Sequence, residues 1–102
     1  MKKIINGKKY DTETAKAVGT YDNGHSSSDF QWLEETLYLK KTGEFFLGGS
    51  GGAMTRYSRQ CSDITFPGGW NIVPLSIMEA KQWGERHLDA TAYEDIFGGC
   101  EE

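Results

Sequence analysis

Residues 33–49 read LEETLYLKKTGEFFLGG, and this run limits the possible folds more than any other stretch. In an extended chain Leu37 and Leu39 fall on one side, Thr36 and Tyr38 on the other. That period-two alternation in strand-favouring residues predicts a β-strand. Thr42-Gly43 then separates it from a second apolar run, Phe45-Phe46-Leu47, so the pair predicts an antiparallel hairpin.

A second hairpin is predicted over residues 2–10. There KKII and KKYD flank Asn6-Gly7, the pair that best suits the positive dihedrals of a type I′ turn. ITF (64–66) and WNIVPL (70–75) read as two further short strands around Pro67-Gly68-Gly69, with Pro74 at a strand end or edge. Asp11 or Thr12 is suited to cap a short helix over 13–18 that Gly19 ends, and TYDNGHSSSD (20–29) reads as a loop. AMTRYSRQCSD (53–63) fits either a short helix or an extended segment.

The C-terminal region carries the clearest helix signal. Ser76 and Glu79 have capping-box spacing, and Ile77, Ala80, Trp83, Gly84 and Leu88 share one helical face. Gly84 weakens such a helix by about 1 kcal/mol relative to alanine. DATAYEDIF (89–97) predicts a second short helix running to Gly98-Gly99. No repeat or long linker divides the 102 residues. The expectation is one α+β domain over 1–102: a small, mainly antiparallel sheet built from hairpins, with one or two C-terminal helices packed on it. A chain this long buries roughly 65% of its unfolded surface, enough for a core without staples.

Several function classes recede on composition. No apolar run approaches the roughly 18 residues of a membrane span, and the lysine-rich start lacks the apolar stretch of a signal peptide, so the expected compartment is the cytoplasm. Cys61 and Cys100 lack neighbours at metal-ligand spacing and read as free thiols, with a disulfide between them as the alternative; His25 and His87 are isolated. No cofactor or metal is expected. Charge is uneven: +3 over residues 1–16, −2 over 17–78 and −5 over 79–102, summing to −4. Such a chain is a poor general nucleic-acid binder. Its acidic C-terminal surface is a solvated helix face or a surface for a basic protein.

The segment FFLGGSGGAMTRYSR (45–59) carries the strongest site signal. Glycines let backbone amides approach a phosphate, and Arg56 and Arg59 are spaced to point the same way in a helical turn. Arginine's planar fork matches phosphate bidentately. The candidate ligand-binding set is Gly49, Gly51, Gly52, Thr55, Arg56, Tyr57, Ser58, Arg59 and Trp70, with Tyr57 or Trp70 offering a face to a base. The spacing fits neither the triphosphate loop nor the dinucleotide fingerprint. The competing reading is a long loop followed by surface arginines that pair with acids such as Asp63. Glu34 and Glu35 point to opposite faces of a strand and cannot act as a catalytic pair. The serines near His25 have no strained elbow or oriented base beside them, and Trp32 and Trp83 read as core. An enzyme is not expected.

INGKKYDTETA, SDFQWLEETLYLKKTGEFFLGGSGGAMTRYS and IVPLSIMEAKQWGERHL together resemble a family of small uncharacterised proteins. That family occurs in phages and integrative or conjugative elements of Gram-positive bacteria. Ser50 departs from its pattern, which often has an acidic residue there. The resemblance implies a context of countering host defence, by trapping a nucleotide signal or by blocking an effector. The leading expectation is a non-enzymatic, homo-oligomeric sponge for a small phosphorylated nucleotide, an immune second messenger. The alternative is a protein-binding inhibitor such as an anti-CRISPR, presenting Glu85, Asp89, Glu94 and Asp95 to a basic groove of a host defence protein. A third reading is a small hydrolase of the same nucleotides.

Overall fold

The computed structural model describes residues 1–26, 30–52, 55–57 and 69–100. The strand ITF, Pro67 and Gly68 of the turn and most of residues 53–63 therefore lie outside the described residues, and Gly69 opens β6. Six strands and two helices follow in the order β1 (Lys2–Ile5), β2 (Lys8–Asp11), β3 (Lys16–Asp22), β4 (Leu33–Leu39), β5 (Phe45–Gly51), β6 (Gly69–Leu75), α1 (Ile77–His87) and α2 (Ala90–Phe97). The α+β expectation holds. β1 and β2 form one hairpin, and β3-β4-β5-β6 form an antiparallel four-stranded sheet.

Both predicted hairpins are present. Asn6 and Gly7 take φ of 51° and 77°, the left-handed pair that the tight β1–β2 turn requires. Gly43, at φ 92°, closes the turn between β4 and β5. Pro74 sits on edge strand β6, where its missing N–H costs least.

In place of the helix expected over 13–18 there is a turn up to Ala15 and then the start of β3 at Lys16. Asp11 does cap: its Oδ1 accepts from Glu13 N at 2.9 Å, and its carbonyl accepts from Ala15 N at 3.1 Å. The cap serves a single turn, and six residues are too few to sustain a helix without tertiary support. That support goes to the strand, since Val18 and Tyr21 pack into the core under the helices.

Alternation along β5 separates two apolar clusters. Phe45 and Leu47 face the helices, meeting Leu37, Ala80 and Trp83. Phe46 faces the other way, meeting Tyr10 and Ile72 under the β1–β2 hairpin. The molecule is thus three layers: hairpin, sheet, helices. Fully burying side chains such as Phe46 and Leu47 is worth about 1.5–3 kcal/mol each.

The Ser76 capping box forms as predicted. Ser76 Oγ accepts from Glu79 N at 3.1 Å, and Glu79 Oε1 accepts from Ser76 N at 2.9 Å. Ala80, Trp83 and Gly84 are buried, whereas Ile77 is exposed because α1 docks only from Ala80 onward. Gly84 lies where α2 crosses: a Cβ there would sit 3.0 Å from Tyr93 and 3.1 Å from Phe97. Asp89 caps α2, its Oδ1 accepting from Ala92 N at 2.8 Å. No helix among the described residues is long and apolar enough to cross a membrane.

Candidate functional site

The glycine run is not a loop. Gly48 to Gly51 are the second half of β5, flanked by β4 on one side and β6 on the other. Gly49 pairs with Glu35 and Asn71, and Gly51 with Leu33 and Gly69, while Gly52 N donates to Trp32 O at 2.8 Å. The amides proposed as a phosphate cradle, those of Gly49, Gly51 and Gly52, are thus bonded within the sheet and its end. An interior strand has partners on both sides, so its N–H groups are not left for a ligand.

The glycines are there for what lies on them. A Cβ at Gly49 would fall inside the Tyr57 ring, and one at Gly51 would fall on the Thr55 hydroxyl. On the opposite face, a Cβ at Gly48 would meet the Tyr38 ring at 2.9 Å. Thr55 closes the turn after β5, with N and Oγ1 donating to Gly52 O at 3.1 and 2.8 Å. Its hydroxyl in turn accepts from Tyr57 N at 3.3 Å. The turn lays Tyr57 flat on the glycine lane, where it is 3% exposed.

Tyr57 ends on Glu35, a carboxylate 3% exposed at the centre of the sheet. The Tyr57 hydroxyl donates to Glu35 Oε2 in a short hydrogen bond. Trp83 Nε1 donates to Oε1 at 3.1 Å, and Arg56 Nη1 stands 3.6 Å from Oε2. Tyr21, the register partner of Glu35, stacks on His87 at 3.9 Å between centroids. Burial raises the Tyr57 pKa, and its bond to the Glu35 carboxylate and that group's charge raise it further against Arg56. Burial lowers the His87 pKa, partly opposed by Glu35 and reinforced by Arg86. Losing one side of such a buried, hydrogen-bonded charge commonly costs about 3–5 kcal/mol.

Among the described members of the proposed ligand set, the glycines, Tyr57 and Trp70 do not converge on one pocket. Tyr57 has no face to offer a base. Trp70 is 43% exposed but pairs with Ser50, one register step from the Gly49 row, so it projects from the opposite face. Arg56 is about half-exposed and is tied to Glu35. Ser58, Arg59 and Asp63 lie outside the described residues, as does Cys61; Cys100 is an exposed free thiol.

Reading along the sequence set Glu35 aside as one of two adjacent acids. Its signal was present in the pattern Leu33-x-Glu35-x-Leu37-x-Leu39, which places a carboxylate in the leucine file. A buried Trp83 indole also needs an acceptor.

The acidic set divides in the structure. Glu85 and Glu94 line one cleft of about 360 Å³ between α1 and α2, together with Gly84, Leu88, Ala90, Tyr93 and Cys100. Asp89 is occupied as the α2 cap. Asp95 lines a separate hollow of about 250 Å³ beside Lys16 and Val18. Among the described residues, no group of three or more His, Cys, Asp or Glu side chains is placed to hold a metal. Comparison with protein-family models, curated proteins and solved structures returns no match.

Proposed function

We propose that the protein is a non-enzymatic binding protein that engages a basic protein partner through the α1–α2 cleft. One observation carries this reading: Glu85 and Glu94 line the same cleft as the apolar side chains of Leu88, Ala90 and Tyr93. Carboxylates beside an apolar groove match a segment with alternating basic and apolar side chains. In the setting that the sequence resemblance implies, that partner belongs to a host defence system and the protein blocks it. The test uses a labelled amphipathic Lys/Leu peptide as probe, read by fluorescence anisotropy. Glu85→Gln with Glu94→Gln weakens probe binding about tenfold, equivalent to about 1.4 kcal/mol, and Arg56→Ala leaves it unchanged. Equal affinity in the double variant and the unaltered chain would overturn the assignment.

Sequestration of a phosphorylated nucleotide is a second reading, supported by Arg56. Its guanidinium lies 3.6 Å from Glu35 and is about half-exposed, so an anion can reach it. The nearby Glu35 charge opposes a phosphate, which ranks this reading second. A panel of cyclic oligonucleotides and ADP-ribose derivatives tests it by thermal stability. A ligand at about 100 times its dissociation constant adds about 2.7 kcal/mol, and Arg56→Ala removes the shift. Product formation in the same samples would point to hydrolysis instead.

A further inference from the structure

The charge asymmetry along the chain becomes an asymmetry in space. Residues 1–16 hold five lysines against two acids, and residues 79–102 hold seven acids against two basic residues. The β1–β2 hairpin covers one face of the sheet and the helices cover the other. The hairpin lysines Lys2, Lys3, Lys8 and Lys9 therefore lie across the sheet from the acids of α1 and α2, whereas Lys16 on β3 lies beside Asp95.

The outer face of the hairpin has a particular shape. Ile4 pairs with Lys9 across the two strands, and Lys2 is two residues before Ile4, so the three side chains share one face. Ile4 is 64% exposed, and Lys2 and Lys9 are exposed too. Lys9 makes a loose contact of 3.9 Å with Asp11. An exposed apolar knob thus has one ammonium group across the hairpin from it and another two residues along its strand, with Asp11 opposite Lys2 on the same face. Across the sheet, the α1–α2 cleft combines two carboxylates, Glu85 and Glu94, with the apolar side chains of Leu88, Ala90 and Tyr93.

We infer that the α1–α2 cleft of one copy takes the β1–β2 hairpin of a second copy. Ile4 enters over Leu88 and Tyr93, while Lys2 and Lys9 meet Glu85 and Glu94. The inference rests on reading that cleft as a docking surface for basic segments. Knob and cleft are different patches on opposite faces, so the contact is head-to-tail and does not close as a two-fold pair. Its ion pairs are at the surface, so association weakens as salt rises. A basic protein partner and a second copy then compete for one cleft, and self-association becomes a store that the partner disperses.

The test is sedimentation equilibrium of the full chain with two exposed-surface variants. Ile4→Ser with Lys9→Ser blanks the knob; Glu85→Gln with Glu94→Gln blanks the cleft. The unaltered chain gains mass with concentration at low salt and returns to monomer at high salt. Each blanked variant stays monomeric alone, and an equimolar mixture forms a species of two chains and stops there. A chain that is monomeric at every concentration overturns the inference, as does self-association untouched by either variant. The Lys/Leu probe keeps the two readings apart, because the knob-blanked chain has a free cleft. Probe binding to that chain without self-association of the parent sinks this inference alone. Absence of probe binding there removes the cleft reading and this inference together.

Discussion

Glu35 and Gly49 face each other across β4 and β5, and each exists for Tyr57. A methyl at Gly49 has no room while the ring is seated, so Gly49→Ala is expected to cost about 1–3 kcal/mol, the usual range for overpacking. In a Tyr57→Ala background the same change should cost little, and urea unfolding of the four-member cycle measures that coupling. Glu35→Leu leaves the Tyr57 hydroxyl and the Trp83 indole N–H without their acceptor, each at about 1–3 kcal/mol. Glu35→Gln keeps an acceptor and should lose less. The pH dependence has a definite sign. The Tyr57 pKa is raised above its ordinary value of 10.0, so its contribution is complete below pH 10 and is lost as pH rises beyond it. The melting temperature should therefore fall above pH 10, and Tyr57→Phe should flatten that fall. The His87 pKa is lowered from 6.5, so its contribution is present above that pH and declines as pH drops below it. The position of Glu35 was legible as a polar residue in a leucine file. The identity of its partner was not, because Tyr57 lies 22 residues away and reaches it only through the turn after β5.

The elements differ in how openly the sequence declares them. Asn6-Gly7, the Ser76–Glu79 box and Asp89 are local devices whose chemistry is complete within four residues, and each is present in the fold. Ser76→Ala should cost about 1 kcal/mol. For a domain of this size that lowers the melting temperature by roughly 4–8 °C, visible in a thermal scan. β3 was hidden by the signals around it. Its register slips between Ala17 and Gly19, and that slip brings Val18 and Tyr21, three apart, to the same core. The cap at Asp11 and the glycine at 19 are local signals that suit a helix, and Tyr21 sits in a polar, turn-rich run that reads as a loop, so the strand is hidden until its partner is known. The half-glycine strand β5 was hidden by composition, since four glycines in five residues normally mean a loop. The Tyr38 ring over Gly48, the Tyr57 ring over Gly49 and Thr55 at Gly51 fill the space those glycines leave.

At the scale of the whole molecule, the sheet is covered on both faces, and neither cover is dispensable. The β1–β2 hairpin shields Phe46 and Ile72 with Tyr10 and Ile5. A chain lacking residues 1–10 should lose cooperative thermal unfolding, and a broad transition with dye-accessible apolar surface would show it. The layered architecture followed from strand and helix count. The pairing of hairpin with one face and helices with the other depended on which way Phe46 points between Phe45 and Leu47. The glycine lane under Tyr57 also sets an order in time. Glycine gives a strand no side-chain packing and surrenders more backbone entropy than any other residue. The Phe45–Leu47 half of β5 is secured by its own side chains, whereas the Gly48–Gly51 half has nothing of its own to hold it until Tyr57 settles. One strand thus contains an early-zipping half and a late-zipping half. Amide hydrogen exchange should resolve them: in Tyr57→Ala, protection collapses at Gly48–Gly51 and persists at Phe45–Leu47.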